Sequence, residues 1–164
     1  MQKLANPFLA NQGYHCFGCS PANDHGLQME FYEADESVVS LWQPRRQFEG
    51  FDTVLHGGVQ ATLMDELASW FVFVKRKTAG VTSGMEIRFH KPVLTDGGPL
   101  RLEATLGGIE GRLAHINVSL EVAPGDVCSE GTITYFIYSE KVARRRLGYP
   151  GYEAFLPDGP AGSS

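Results

Sequence analysis

The sequence predicts an α+β protein in which an antiparallel sheet of about six strands wraps one long central helix. Three observations carry this expectation. Residues 59–77 run without Gly or Pro, are rich in Ala, Leu and Met and make the only convincing long helix, and their apolar residues cover nearly every helical face, as a helix buried on all sides requires. The other patterned segments alternate apolar with polar residues or are β-branched, as strands are. They follow one another through short Gly- and Pro-rich turns instead of alternating with helices, which argues against a parallel α/β sheet.

Residues 1–25 hold Asn, Pro, Gly and Cys without a sustained period and are expected to form an N-terminal arm packed on the domain. The domain proper is expected over 26–141. It starts with an alternating strand over 26–33, a turn at Ala34-Asp35-Glu36 and a second strand over 37–42. The helix follows His56-Gly57-Gly58. Four more strands are predicted over 81–91, 100–109, 113–122 and 127–139, separated by Gly97-Gly98-Pro99, Gly107-Gly108 through Gly111, and Pro124-Gly125-Asp126. Residues 142–164 form a C-terminal extension whose Gly-, Pro- and Ser-rich end, from Pro157, is expected to be disordered. A single sheet around one helix leaves strand edges and apolar area uncovered, and dimerisation would cover them.

The 164 residues suit one domain, and 43% hydrophobic with 20% charged composition fits a globular chain. Fourteen Lys and Arg against nineteen Asp and Glu leave a net charge of −5, which argues against nucleic acid as a partner. No apolar run is long enough to span a membrane, and the start lacks the apolar middle of a signal peptide, so a cytoplasmic location is expected. The three cysteines, Cys16, Cys19 and Cys128, do not suggest a disulfide framework.

The most informative stretch runs from Leu55 to Glu66. Two glycines at a helix start let the backbone approach a ligand, and the unpaired N–H groups there suit a carbonyl oxygen or anion. That is an oxyanion-stabilising geometry. Asp65 sits inside the buried helix on a face built mainly of small residues, Gly58, Ala61, Thr62 and Ser69 among them. A carboxylate there is costly unless paired or facing a wet cavity, so it is a candidate for chemistry. Glu66, about 100° further round, is expected to reach solvent or a neighbouring chain.

His-Gly-Gly with an acid nine positions after the His, in this strand order, resembles the hotdog-fold acyl-CoA thioesterases of the PaaI type. The resemblance covers about residues 16–139, and Cys16-Phe17-Gly18-Cys19 with Asn23-Asp24-His25-Gly26-Leu27 points to one branch of that family. It implies a homodimer or homotetramer with active sites at the dimer interface and acyl-CoA as substrate. It implies that the Gly57 N–H polarises the thioester carbonyl, that His56 positions that loop or the substrate, and that Asp65, given across the interface, is general base or nucleophile. Ser83 matches a position where some members orient the water with a hydroxyl. Gly58, Glu66, Gln47 and Arg88 are the candidate substrate-binding residues. Relatives often carry Asn-Pro before the His-Gly-Gly; this chain does not, and Gln47, Glu49 or Asp52 are candidates for the missing amide's place.

No cofactor is expected, coenzyme A being part of the substrate, and no metal. One Cys-x-x-Cys with only His15, His25 and Cys128 to complete a set of four is weak zinc evidence. A metal ligand pair, a redox pair and arm packing stay open for Cys16 and Cys19. Lys75-Arg76-Lys77 closes the helix, where cations favour the C-terminal dipole, and Arg88, Lys91 and Arg144-Arg145-Arg146 suit coenzyme A phosphates. The rival function is a non-catalytic hotdog module that binds acyl-CoA as a sensor.

Overall fold

In chain order the elements are strands β1 (Gln2–Lys3), β2 (Tyr32–Glu33), β3 (Ser37–Trp42), β4 (Glu49–Phe51) and β5 (Val54–Leu55), and helix α1 (Gly57–Lys75). Strands β6 (Gly80–Phe89), β7 (Leu100–Glu110), β8 (Leu113–Glu121) and β9 (Val127–Ile137) come next, and then helix α2 (Glu140–Leu147). The computed structural model describes residues 1–157. One sheet has the order β1-β2-β3-β7-β8-β9-β6, every neighbouring pair antiparallel. Without the two arm residues of β1 it is the six-stranded sheet the pattern predicts. A separate ribbon, β4-β5, leads into α1.

Alternation along the strands fixes which face meets the helix. Leu100, Leu102 and Ala104 of β7, Ala114, Ile116, Val118 and Leu120 of β8, and Ile133 and Tyr135 of β9 are all buried. α1 packs across β3, β6, β7, β8 and β9. It starts two residues earlier than its pattern suggests, at Gly57, because the His56 ring caps it. It stops at Lys75, two residues before the predicted end, with Lys77 in the left-handed region at φ 50°.

The first strand is shorter than its alternation predicts. Leu27, Met29 and Phe31 are buried, as a half-buried strand requires, but only Tyr32 and Glu33 pair in the sheet. Gln28 lies in the left-handed region at φ 54° and breaks the extended run. The segment pairs with the arm instead: Leu27 N–H donates to Phe17 O at 2.7 Å and Met29 N–H to Gly18 O at 2.9 Å.

The sheet does not wrap the whole helix. Away from the sheet, Trp70 stacks on Phe31 with ring centroids 4.0 Å apart and meets Phe155 edge-on at 5.4 Å. Phe8 of the arm and Phe73 of α1 pack on the same Phe155 ring. Phe155 belongs to a short helical turn, Tyr152–Phe155, placed there by α2, a helix that the sequence pattern does not announce. The expected disorder at the chain's end falls, from residue 158 on, outside the described residues.

Candidate active site

Asp65 is half-buried midway along α1. Its Oδ1 accepts from the Thr82 hydroxyl at 2.8 Å and from the Tyr135 phenol at 2.9 Å. The phenol also lies 3.0 Å from the Asp65 carbonyl oxygen. Oδ2 has no hydrogen bond among the described residues. Burial first, and then the neighbouring Asp65 charge, push the Tyr135 phenol far above its ordinary pKa, so it stays a donor. One carboxylate oxygen is thus held and the other is not.

Sequence reasoning missed both hydroxyls and singled out Ser83 instead. A bulge falls between Thr82 and Gly84, so Thr82 opposite Tyr135 and Met85 opposite Ile133 both face α1, while Ser83 sits at the bulge, exposed. The structure therefore places Thr82, not Ser83, against Asp65 of its own chain.

At the start of α1, His56 Nδ1 accepts from Gly58 N–H at 2.8 Å. That contact requires an unprotonated Nδ1 and puts the ring proton on Nε2. It also takes up the Gly58 amide, so Gly58 has no N–H to offer a substrate. The first residue, Gly57, keeps a free amide: the His56 carbonyl accepts from Val59 and Gln60, and Gly57 N–H has no partner among the described residues. Phe89 is the neighbour closest to where a Gly57 side chain would stand, at 3.6 Å.

Gln47 is exposed on the turn whose next residue, Phe48, accepts the His56 N–H at 3.0 Å. Glu49 is engaged by Thr95 Oγ1 at 2.7 Å and by Arg46, and Asp52 is exposed. Arg88 is not brought to the site. It pairs in register with Glu130 and shares the sheet's outer face, away from α1, where its guanidinium lies 3.5 Å from Glu86.

Glu66 turns to its own chain's arm and not to solvent. Its carboxylate lies under the arm, with Oε1 3.6 Å from Cys16 Sγ. Cys16 and Cys19 Sγ are 3.5 Å apart, and the Tyr14 hydroxyl is 2.8 Å from Cys19 Sγ. Burial, reinforced by the Cys16 charge, pushes Glu66 up to about 7. Among the described residues, Cys16, Cys19 and Glu66 form the one group of three metal-ligating side chains, their ligand atoms all within 4.8 Å of each other.

Residues 52–129, from the turn before His56 into β9, match the sequence model of the Thioesterase superfamily. No curated protein matches the sequence. Among solved structures, the chain resembles a crystal structure of a thioesterase superfamily protein with TM-score 0.64 and 25% identity, over 71% of this chain and 57% of that one. It thus spans little more than half of that relative. It also resembles zebrafish thioesterase superfamily member 2, with TM-score 0.61, 24% identity and 71% and 88% coverage. A hypothetical thioesterase from Streptococcus pneumoniae, crystallised with coenzyme A, gives TM-score 0.62, 20% identity and 68% and 90% coverage. These likenesses define the class, a hotdog fold. At the level of sequence, the likeness to the thioesterase superfamily rests on residues 52–129.

Proposed function

We propose that the protein is a PaaI-type acyl-CoA thioesterase that works as a homodimer in the cytoplasm. The observation that carries the reading is the Asp65 carboxylate, anchored through Oδ1 by Thr82 and Tyr135 with Oδ2 free. In this reading the Gly57 N–H polarises the thioester carbonyl and His56 holds the glycine turn. Oδ2 of Asp65 takes a proton from the attacking water or attacks the carbonyl carbon itself, and the coenzyme A thiolate leaves. The match of residues 52–129 to the thioesterase superfamily model supports thioester hydrolysis, and the coenzyme A in the Streptococcus pneumoniae structure supports the substrate class.

The two halves of the machinery cannot meet within one chain. Gly57 and Asp65 are eight positions apart on one helix, about 12 Å at 1.5 Å per residue, whereas both must approach one carbonyl within about 3 Å. A second copy brings another chain's Asp65 to this chain's Gly57. The edge that would receive it is β6, the last strand of the sheet, where Val81, Met85 and Phe89 are 45%, 51% and 51% exposed.

Free-thiol release from a panel of aliphatic and aromatic acyl-CoAs, compared between wild type and Asp65→Asn, tests the reading. Turnover that falls by about 10² or more in the folded variant supports it. Binding without turnover by the wild type would replace it with the sensor reading. Oxygen-18 incorporation into Asp65 in a single turnover separates covalent attack from general-base attack.

A further inference from the structure

We propose that Cys16, Cys19 and Glu66 form a binding site for a thiophilic divalent cation of the Zn²⁺ type, which clamps the N-terminal arm onto α1. The proposal is independent of the thioesterase reading. Its first support is geometric. Tetrahedral zinc, with Zn–S near 2.3 Å and Zn–O near 2.0 Å, holds its sulfurs about 3.8 Å apart and sulfur from oxygen about 3.5 Å apart. The sulfurs here are 3.5 Å apart, and Cys16 Sγ is 3.6 Å from Glu66 Oε1.

Charge is the second support. Three acidic groups from segments 50 positions apart converge in a mostly buried site. No lysine, arginine or histidine is among their hydrogen-bond or ion-pair partners in the described residues. Holding two thiolates beside a buried carboxylate without a cation is costly, and a divalent ion removes most of that cost by binding the deprotonated groups. Two thiols beside one carboxylate select a borderline-soft metal over Mg²⁺ or Ca²⁺.

The surrounding chain is built to hold this arrangement. Gly18 lies so close to Glu66 that a Cβ there would stand 2.4 Å from the carboxyl carbon, and the turn is tied down by the Leu27 and Met29 amides. A cavity of about 290 Å³, lined by Tyr14, Cys16, Cys19, Glu66, Trp70 and Phe73 among others, adjoins the three ligands. It gives the fourth position to water or to the Tyr14 hydroxyl. The buried Trp70 indole N–H has no acceptor among the described residues and is available to an oxygen ligand. Counting four protein ligands in the sequence concealed such a site, because three protein ligands and one open position suffice.

The test uses the full chain, reduced, stripped of metal with a chelator, and titrated with Zn²⁺ or Co²⁺. One equivalent should bind, with Co²⁺ giving intense thiolate-to-metal charge-transfer absorption. Binding should weaken about tenfold or more in Cys16→Ser, Cys19→Ser and Glu66→Gln, each checked for folding by circular dichroism. Chelation should lower the melting temperature of wild type but not of Cys19→Ser. The proposal fails if reduced wild type takes up no Zn²⁺ and both thiols stay open to a thiol reagent in its presence. It fails equally if folded Glu66→Gln binds as tightly as wild type. Isolation as a Cys16–Cys19 disulfide that binds no metal after reduction would also overturn it, in favour of a redox pair. No readout involves turnover, so a failed thioesterase assay would leave the metal result standing.

Discussion

The two hydroxyls on Oδ1 of Asp65 come from different strands, Thr82 from β6 and Tyr135 from β9, and together they fix the rotation of the carboxylate. One such bond is worth about 1 kcal/mol, so Tyr135→Phe should lower kcat roughly fivefold to tenfold with little change in KM. Thr82→Val should act alike. A loss confined to KM would show that the hydroxyls bind substrate instead of holding the carboxylate. His56, Gly57, Gly58 and Asp65 were legible because one helix sets their spacing. Thr82 and Tyr135 were not, since they lie 17 and 70 positions from Asp65 and a hydroxyl in a strand carries no local signal. The destination of Glu66 was hidden for a related reason: it is set by the path of an arm without periodicity.

Among the elements, the helix and the five long strands were readable from pattern, whereas α2 was not. Its sequence, Glu140 to Leu147, buries only Ala143 and so has no apolar stripe to recognise. Its role is to carry the chain round to Phe155, which is fully buried among aromatic rings from the arm and α1. Phe155→Ala should cost about 3–5 kcal/mol in denaturant unfolding. At the β3–β7 pairing, Glu103 accepts from Arg101 at 2.8 Å and from Ser37 at 2.6 Å, and these bonds hold its carboxyl below the ordinary 4.5. A depressed carboxyl contributes stability above its unfolded-state value, and that contribution is lost as pH falls through the lowered folded-state value. Glu103→Gln should therefore destabilise the fold at pH 7, and thermal melts should show the gap closing below about pH 4.5.

At the scale of the whole molecule, the α+β class was evident from the order of patterned segments, but the cover on the helix's second side was not, because it is assembled from both ends of the chain. A site shared between two copies makes its own prediction. Met85→Lys puts a charge on the exposed inner face of β6, so light scattering should find monomers and turnover should vanish with the dimer. A monomer that kept full turnover would sink the shared site.

Residues 5 and 155 are joined directly, Ala5 N–H donating to Phe155 O at 2.8 Å. The ring that seals Phe8, Trp70 and Phe73 is therefore made after all three of them and after every strand of the sheet. At roughly 5–20 residues per second, the first of those aromatics waits on the order of ten seconds for its cover. In the last part of that interval, between Ile137 and Phe155, the whole sheet is made but carries an open aromatic surface, and it is this nascent chain, more than the folded domain, that would call on a chaperone.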